Sequence, residues 1–192
     1  MPGNMTTNLM AILPEICLVI LSIVLLAVDA LSRKKNQLLV AWVTFAGLIL
    51  AFLLTWLVNW PVDKAQLVWG NLIILDGATF VFKLLFLLGA ALTVLFSLDH
   101  EGLTNHGEFY ILLVISTLGM SLMASANNLI MLYLAIETTS IPLYILAGFI
   151  TGERKSAEAG MKYFLFGATT SAIMLFGFSL LYGFTGTTDL AQ

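Results

Sequence analysis

One carboxylate, Glu137, interrupts the apolar run Asn128-Leu-Ile-Met-Leu-Tyr-Leu-Ala-Ile-Glu-Thr-Thr-Ser-Ile-Pro142-Leu-Tyr-Ile-Leu-Ala-Gly-Phe149. A helix begun at Asn128 rises roughly 1.5 Å per residue, so Glu137 lies about 13 Å along it. The hydrocarbon core of a bilayer is roughly 30 Å thick, which puts this carboxyl near the midplane. A charge at that depth costs on the order of 3 kcal/mol or more, and an acid kept there is a functional candidate, above all for holding and passing a proton. Tyr133, Glu137, Ser140 and Tyr144 recur at steps of four, three and four, the spacing of one helical face. Pro142 lacks the N–H that would bond the Thr138 carbonyl, so a kink or a hydrated gap is expected one turn from Glu137. The competing reading makes Glu137 an acid that hydrogen-bonds a neighbouring helix and does nothing more.

Two lysines also stand in apolar surroundings. Lys162, in Gly160-Met-Lys-Tyr-Phe-Leu, is about one turn inside the following apolar segment. Measured from the connecting loop, Glu137 is roughly 18 Å deep and Lys162 roughly 6–9 Å. A direct pair would need a fully stretched lysine, a water bridge would not, and snorkelling to the surface is the simple alternative. Lys83 follows Asp76 by two turns, so a local Asp76–Lys83 pair competes with a functional role, and Asp76 is itself a fitting N-cap. Thr117, Ser121 and Ser125 at steps of four beside Gly119 have the small, hydroxylated pattern of helix packing in membranes, with the lining of a proton path as a second use. Asp29 adjoins a basic loop, where a solvated ion pair suffices, and Glu15 after Pro14 is placed to cap or to contact a partner.

These residues need a scaffold, and composition defines it. The chain has 192 residues, 60% of them hydrophobic and only 10% charged. A soluble domain has about 25% charged residues, so this chain lacks the surface for water. Six apolar stretches, near 9–31, 38–58, 77–98, 109–125, 128–149 and 158–184, are each close to the roughly 20 residues that cross a bilayer. The expected fold is an all-α membrane protein of six transmembrane helices. Spans four and five are so close that they must form a hairpin. No basic residue precedes the first span, which argues for a retained helix rather than a cleaved signal.

Arg33-Lys34-Lys35 follows span one and Arg154-Lys155 follows span five, while the opposite loops hold only Lys64. The positive-inside rule then places the N-terminus outside. A net charge of −3 points to no nucleic-acid partner. Cys17 is the only cysteine, which excludes an internal disulfide or a thiolate cluster; it reads as a small buried hydrophobe. The spacing of His100 and His106 does not fit zinc, and no phosphate loop, dinucleotide fingerprint or nucleophilic triad is present.

Several of these stretches resemble a known family. Gly107-Glu-Phe-Tyr-Ile-Leu-Leu, Leu118-Gly-Met and Ala126-Asn-Asn-Leu, continuing through Leu132-Tyr-Leu-Ala-Ile-Glu137-Thr-Thr-Ser-Ile-Pro-Leu-Tyr144, are similar to the antiporter-like membrane subunits of respiratory complex I. Lys155-Ser-Ala-Glu158-Ala-Gly-Met-Lys162-Tyr-Phe-Leu, Leu180-Leu-Tyr-Gly, Thr185-Gly186 and the earlier Leu75-Asp76-Gly77 resemble the subunit N group in particular. Subunits L and M and the sodium/proton antiporter subunits share the helix-five glutamate within a different motif. The resemblance implies a membrane subunit of a proton-translocating NADH:quinone oxidoreductase, in a fold of roughly fourteen helices. There the helix-five glutamate partners a lysine on a broken seventh helix, with a helix-six lysine nearby, and Glu137 and Lys162 match two of these positions.

The same resemblance divides the chain into N-terminal helices over 1–106 and the start of a translocating unit over 107–192, ending before the seventh helix. It further implies no cofactor on this chain, with quinone, NADH, FMN and iron–sulfur clusters in other subunits. Its partners would be those membrane subunits, the lipid bilayer and protons, in a bacterial plasma membrane. Two other classes compete: a stand-alone cation/proton antiporter subunit, and a structural or assembly subunit.

Overall fold

The computed structural model describes residues 5–32, 37–60, 65–99, 103 and 106–190. Among the described residues, helices and one short hairpin run in the order α1 (Met5–Ala11), α2 (Leu13–Ser32), α3 (Gln37–Val58), β1 (Gln66–Val68), β2 (Ile73–Leu75), α4 (Gly77–Ser97), α5 (Gly107–Ser125), α6 (Leu129–Ala147) and α7 (Arg154–Thr185). The last six helices named are each long and apolar enough to cross a membrane, as the composition requires. Arg33–Lys35, Lys64 and His100, on which orientation and the zinc argument drew, lie outside the described residues.

The expected spans are found within a few residues of their ends, with two departures. The first apolar stretch is divided at Ile12 into α1 and α2. Pro14 is the second residue of α2, where its missing N–H is tolerated because the first helical turn has no internal acceptor for it. The last span starts at Arg154 rather than 158, so α7 has 32 residues, about 48 Å at the usual rise.

The core is built from α2, α3, α4 and α5, where Leu18, Leu25, Val40, Leu48, Leu87, Val94, Tyr110 and Val114 are buried. Cys17 is half-buried and packs against that cluster. The α5–α6 hairpin is held by close backbone approach: a Cβ on Gly119 would come 2.5 Å from the Thr139 nitrogen. Helix α7 packs along α6, and none of its residues is buried.

The hairpin β1–β2 is antiparallel, pairing Gln66 with Leu75 and Val68 with Ile73. Trp69, Gly70 and Asn71 all have positive φ in its turn. The Trp69 indole N–H, donating to the Asn8 carbonyl at 2.8 Å, ties that turn to α1. The hairpin also organises the α5–α6 turn: the Asn127 backbone N–H donates to the Leu72 carbonyl and its side-chain amide to the Asn71 carbonyl. Asn128 caps α6 by accepting from the Ile130 N–H and reaches Thr188 through its amide. At one end of the bundle, β1–β2, the α5–α6 turn and the segment after α7 thus form one polar collar.

Candidate functional site

Helix α6 runs from its Asn128 cap through Pro142 to Ala147 without interruption. Thr138 and Thr139 turn their hydroxyls back to the carbonyls of Leu134 and Ala135, four residues earlier, so neither competes for Glu137. The half-buried Glu137 carboxylate instead accepts a short hydrogen bond from the Ser171 hydroxyl on α7. The face read from the four–three–four spacing is the one turned to α7. Tyr133 lines a mostly apolar cleft of ≈ 480 Å³ with Leu175, Ser179 and Tyr182. Tyr144 is buried, edge-on to Tyr163 at 4.8 Å and to Phe164 at 6.0 Å. A Cβ at Gly167 would meet the Tyr144 hydroxyl at 2.2 Å, so the glycine makes the seat for that ring. Ser140 is half-buried on the same side and Pro142 is buried.

Near the loop between the two helices the chains come closer still. A Cβ on Gly160 would lie 2.8 Å from the Gly148 Cα. At that end Lys162 Nζ pairs with Glu158 Oε1 at 2.5 Å, one turn away on α7, and both side chains are exposed. Lys162 is nine residues from Ser171, about 13 Å along the axis, so it does not meet Glu137 in this arrangement. The seam between α6 and α7 therefore runs from an exposed ion pair, past the Tyr144–Gly167 contact, to the Glu137–Ser171 hydrogen bond, and opens into the Tyr133 cleft.

Lys83 belongs elsewhere. Its suggested partner Asp76 instead caps α4, accepting from the Thr79 N–H at 2.7 Å, because a side chain just before a helix turns back to the free N–H groups of the first turn. Lys83 Nζ lies 2.7 Å from Glu15 Oε1, with both side chains buried. Glu15 therefore contacts a partner, as its position suggested, and Ser121 donates to the same oxygen at 2.6 Å. Ser125 and Thr117 return their hydroxyls to the α5 backbone, as packing residues do. Asp29 meets α5 at Gly107, where a Cβ would stand 2.0 Å from its Oδ1. His106 precedes α5 and packs edge-on to Phe149 at 5.6 Å. Among the described residues no group of His, Cys, Asp or Glu is placed to hold a metal ion.

Sequence reasoning missed Ser171 and the partnership of Glu158. The i, i+4 spacing of Glu158 and Lys162 was the available signal for the second, whereas nothing local marks Ser171.

Residues 126–192, which carry this seam, match the family described as NADH:quinone oxidoreductase/Mrp antiporter, transmembrane. Over nearly the whole chain the fold superposes on a chain of respiratory complex I from Thermus thermophilus, solved with bound aureothin, at 33% identity and a TM-score of 0.76. That match covers 93% of this chain and 38% of the other. The chain is thus a multi-pass, all-α membrane protein whose sequence and fold resemble the antiporter-like membrane subunits of this family.

Among curated proteins it is similar to subunit N of NADH-quinone oxidoreductase. It is 41% identical over 193 residues to subunit N 2 of Symbiobacterium thermophilum, covering 95% of this chain and 38% of that protein. It is 43% identical over 178 residues to subunit N of Rhodospirillum rubrum, covering 92% and 36%. The chain thus spans under two fifths of the length of these relatives.

Proposed function

We propose that this chain takes part in proton translocation within the membrane arm of an NADH:quinone oxidoreductase, with Glu137 as the proton-holding group and Lys162 as a second ionisable group of the same path. The observation that carries this reading is the Glu137 carboxylate, near the middle of a membrane-spanning helix and bonded to Ser171 across the seam. A carboxylate in lipid surroundings is costly unless its charge is matched or exchanged. Protons move between groups whose charged forms are favoured by nearby opposite charge and disfavoured by loss of water. The Glu158–Lys162 pair, near the start of α7 where Arg154 and Lys155 lie, offers such a matched charge, and a shift of that pairing would alter what Glu137 feels. Tyr133, Ser140, Pro142 and Tyr144 shape the face along which Glu137 is presented.

On this reading NADH, FMN, iron–sulfur and quinone chemistry belong to other subunits, which are the partners of this chain. The membrane is a bacterial plasma membrane, with the N-terminus on its outer side. The hydrogen bond to Ser171 would serve simple packing equally well, so the test must read transport. NADH-driven proton uptake into inverted vesicles is measured with the full-length protein in its complex, comparing Glu137→Gln with the parent and normalising to assembled complex. Uptake that falls severalfold while assembly holds is expected. Unchanged uptake would make Glu137 a packing acid and the chain a structural subunit.

A further inference from the structure

The bundle holds a second buried polar centre, separate from the Glu137 seam. Glu15 on α2 is 4% exposed, Lys83 on α4 is 1% exposed and Ser121 on α5 is 1% exposed. Three helices from distant parts of the chain therefore meet at one carboxylate oxygen, Glu15 Oε1, which takes the lysine at 2.7 Å and the serine hydroxyl at 2.6 Å. The lysine contact is an ion pair without the alignment of a hydrogen bond, and Glu15 Oε2 is buried with no hydrogen-bond partner among the described residues.

This centre does not face the seam. Gly119, two residues before Ser121, is the point where α5 meets α6 at Thr139. Glu137 and Thr139 are two residues apart, about 200° around the helix, so Glu137 is turned away from α5 and toward α7. Among the described residues no hydrogen bond links Glu15 or Lys83 to Glu137, whereas the position of α5 does bear on it. Helix α5 carries α6 through backbone-to-backbone contact, and α6 carries Glu137.

We propose that Glu15, Lys83 and Ser121 form a positioning site that sets the axial register of the α5–α6 hairpin against α2 and α4, and through it the height of Glu137 in the membrane. The physical need is specific to lipid. Apolar side chains gain little from leaving lipid tails for one another, so apolar packing discriminates weakly between neighbouring registers of two apolar helices. A buried ion pair with a third hydrogen-bonding partner does discriminate, because sliding one helix by a turn leaves a charge unmatched. Lys83 in this role stays paired as an ammonium and passes no proton on.

The test uses the full-length protein in its assembled complex and reads two quantities, the yield of assembled complex and NADH-driven proton uptake per complex. Lys83→Met leaves the Glu15 carboxylate unmatched, and Glu15→Leu leaves the ammonium unmatched. Each single change should lower yield roughly fivefold or more, and uptake per surviving complex should fall with it. The double variant Glu15→Leu, Lys83→Met removes both charges and should recover yield and uptake to within about twofold of the parent. Single variants that assemble and pump normally would overturn the proposal. So would a double variant that assembles but does not pump, because the pair would then carry protons itself. The pumping part rests on the proposed role of Glu137, and Glu137→Gln in the same preparation separates the two: if it pumps normally that role fails, while the yield comparison still tests the pin.

Discussion

At the scale of single residues, the hydrogen bond from Ser171 to Glu137 is the contact on which the proposed path depends most directly. Polar contacts between membrane helices are worth about 1 kcal/mol, so Ser171→Ala should reduce proton uptake per complex by roughly fivefold while leaving assembly intact. Ser171→Thr keeps the hydroxyl and should recover most of it. Equal uptake in the alanine and threonine variants would show that the hydroxyl does not serve the path. Glu137, Tyr133 and Tyr144 were legible as one face because helical spacing is local information. Their partner was not, since Ser171 is 34 residues away and resembles any other hydroxyl on a membrane helix. Lys83 teaches the same lesson from the other side. The nearest acid in sequence, Asp76, is claimed by the backbone of its own helix, and the true partner is Glu15, 68 positions earlier.

Elements are placed here chiefly by small residues. Gly119 has no room for a Cβ because the obstacle at 2.5 Å is the Thr139 backbone, which cannot swing aside as a side chain could. Gly119→Ala should therefore push α5 from α6 at a cost of about 1–3 kcal/mol and lower the yield of assembled complex. Gly89, on α4, has nothing within 4 Å of its Cβ position, so Gly89→Ala is the matched control and should assemble normally. Thermal stability of the purified complex, compared between the two variants, checks this, and equal melting would show the close approach to be unimportant. The hydroxyl pattern of Thr117, Ser121 and Ser125 beside Gly119 did announce a packing face on α5. The β1–β2 hairpin was not foreseen, since its three-residue strands sit in a connecting segment and take their value from pairing with the α5–α6 turn.

For the whole molecule, orientation is the property most open to direct test. Ala65 lies in the segment between α3 and α4 and Thr151 in the loop between α6 and α7, both exposed, on opposite sides of the proposed membrane. In intact cells a membrane-impermeant maleimide should label Ala65→Cys and spare Thr151→Cys; the reverse pattern would invert the assignment. The exposed flank of α7 is equally a whole-molecule feature, because the helix is long and apolar, packs along α6 and buries none of its residues. The sequence by itself determined the all-α membrane class, six spans, the face bearing Glu137 and the hairpin of spans four and five. Hydropathy, helical periodicity and a two-residue break are properties of neighbouring residues, and lipid enforces them on any fold. Only the tertiary structure decided that Lys162 pairs with Glu158 rather than Glu137, that Lys83 joins Glu15 and Ser121, and that the Glu137 face meets α7. Those outcomes depend on the register and rotation of one helix against another, which a run of apolar residues leaves almost degenerate until glycines and buried charges choose among the alternatives.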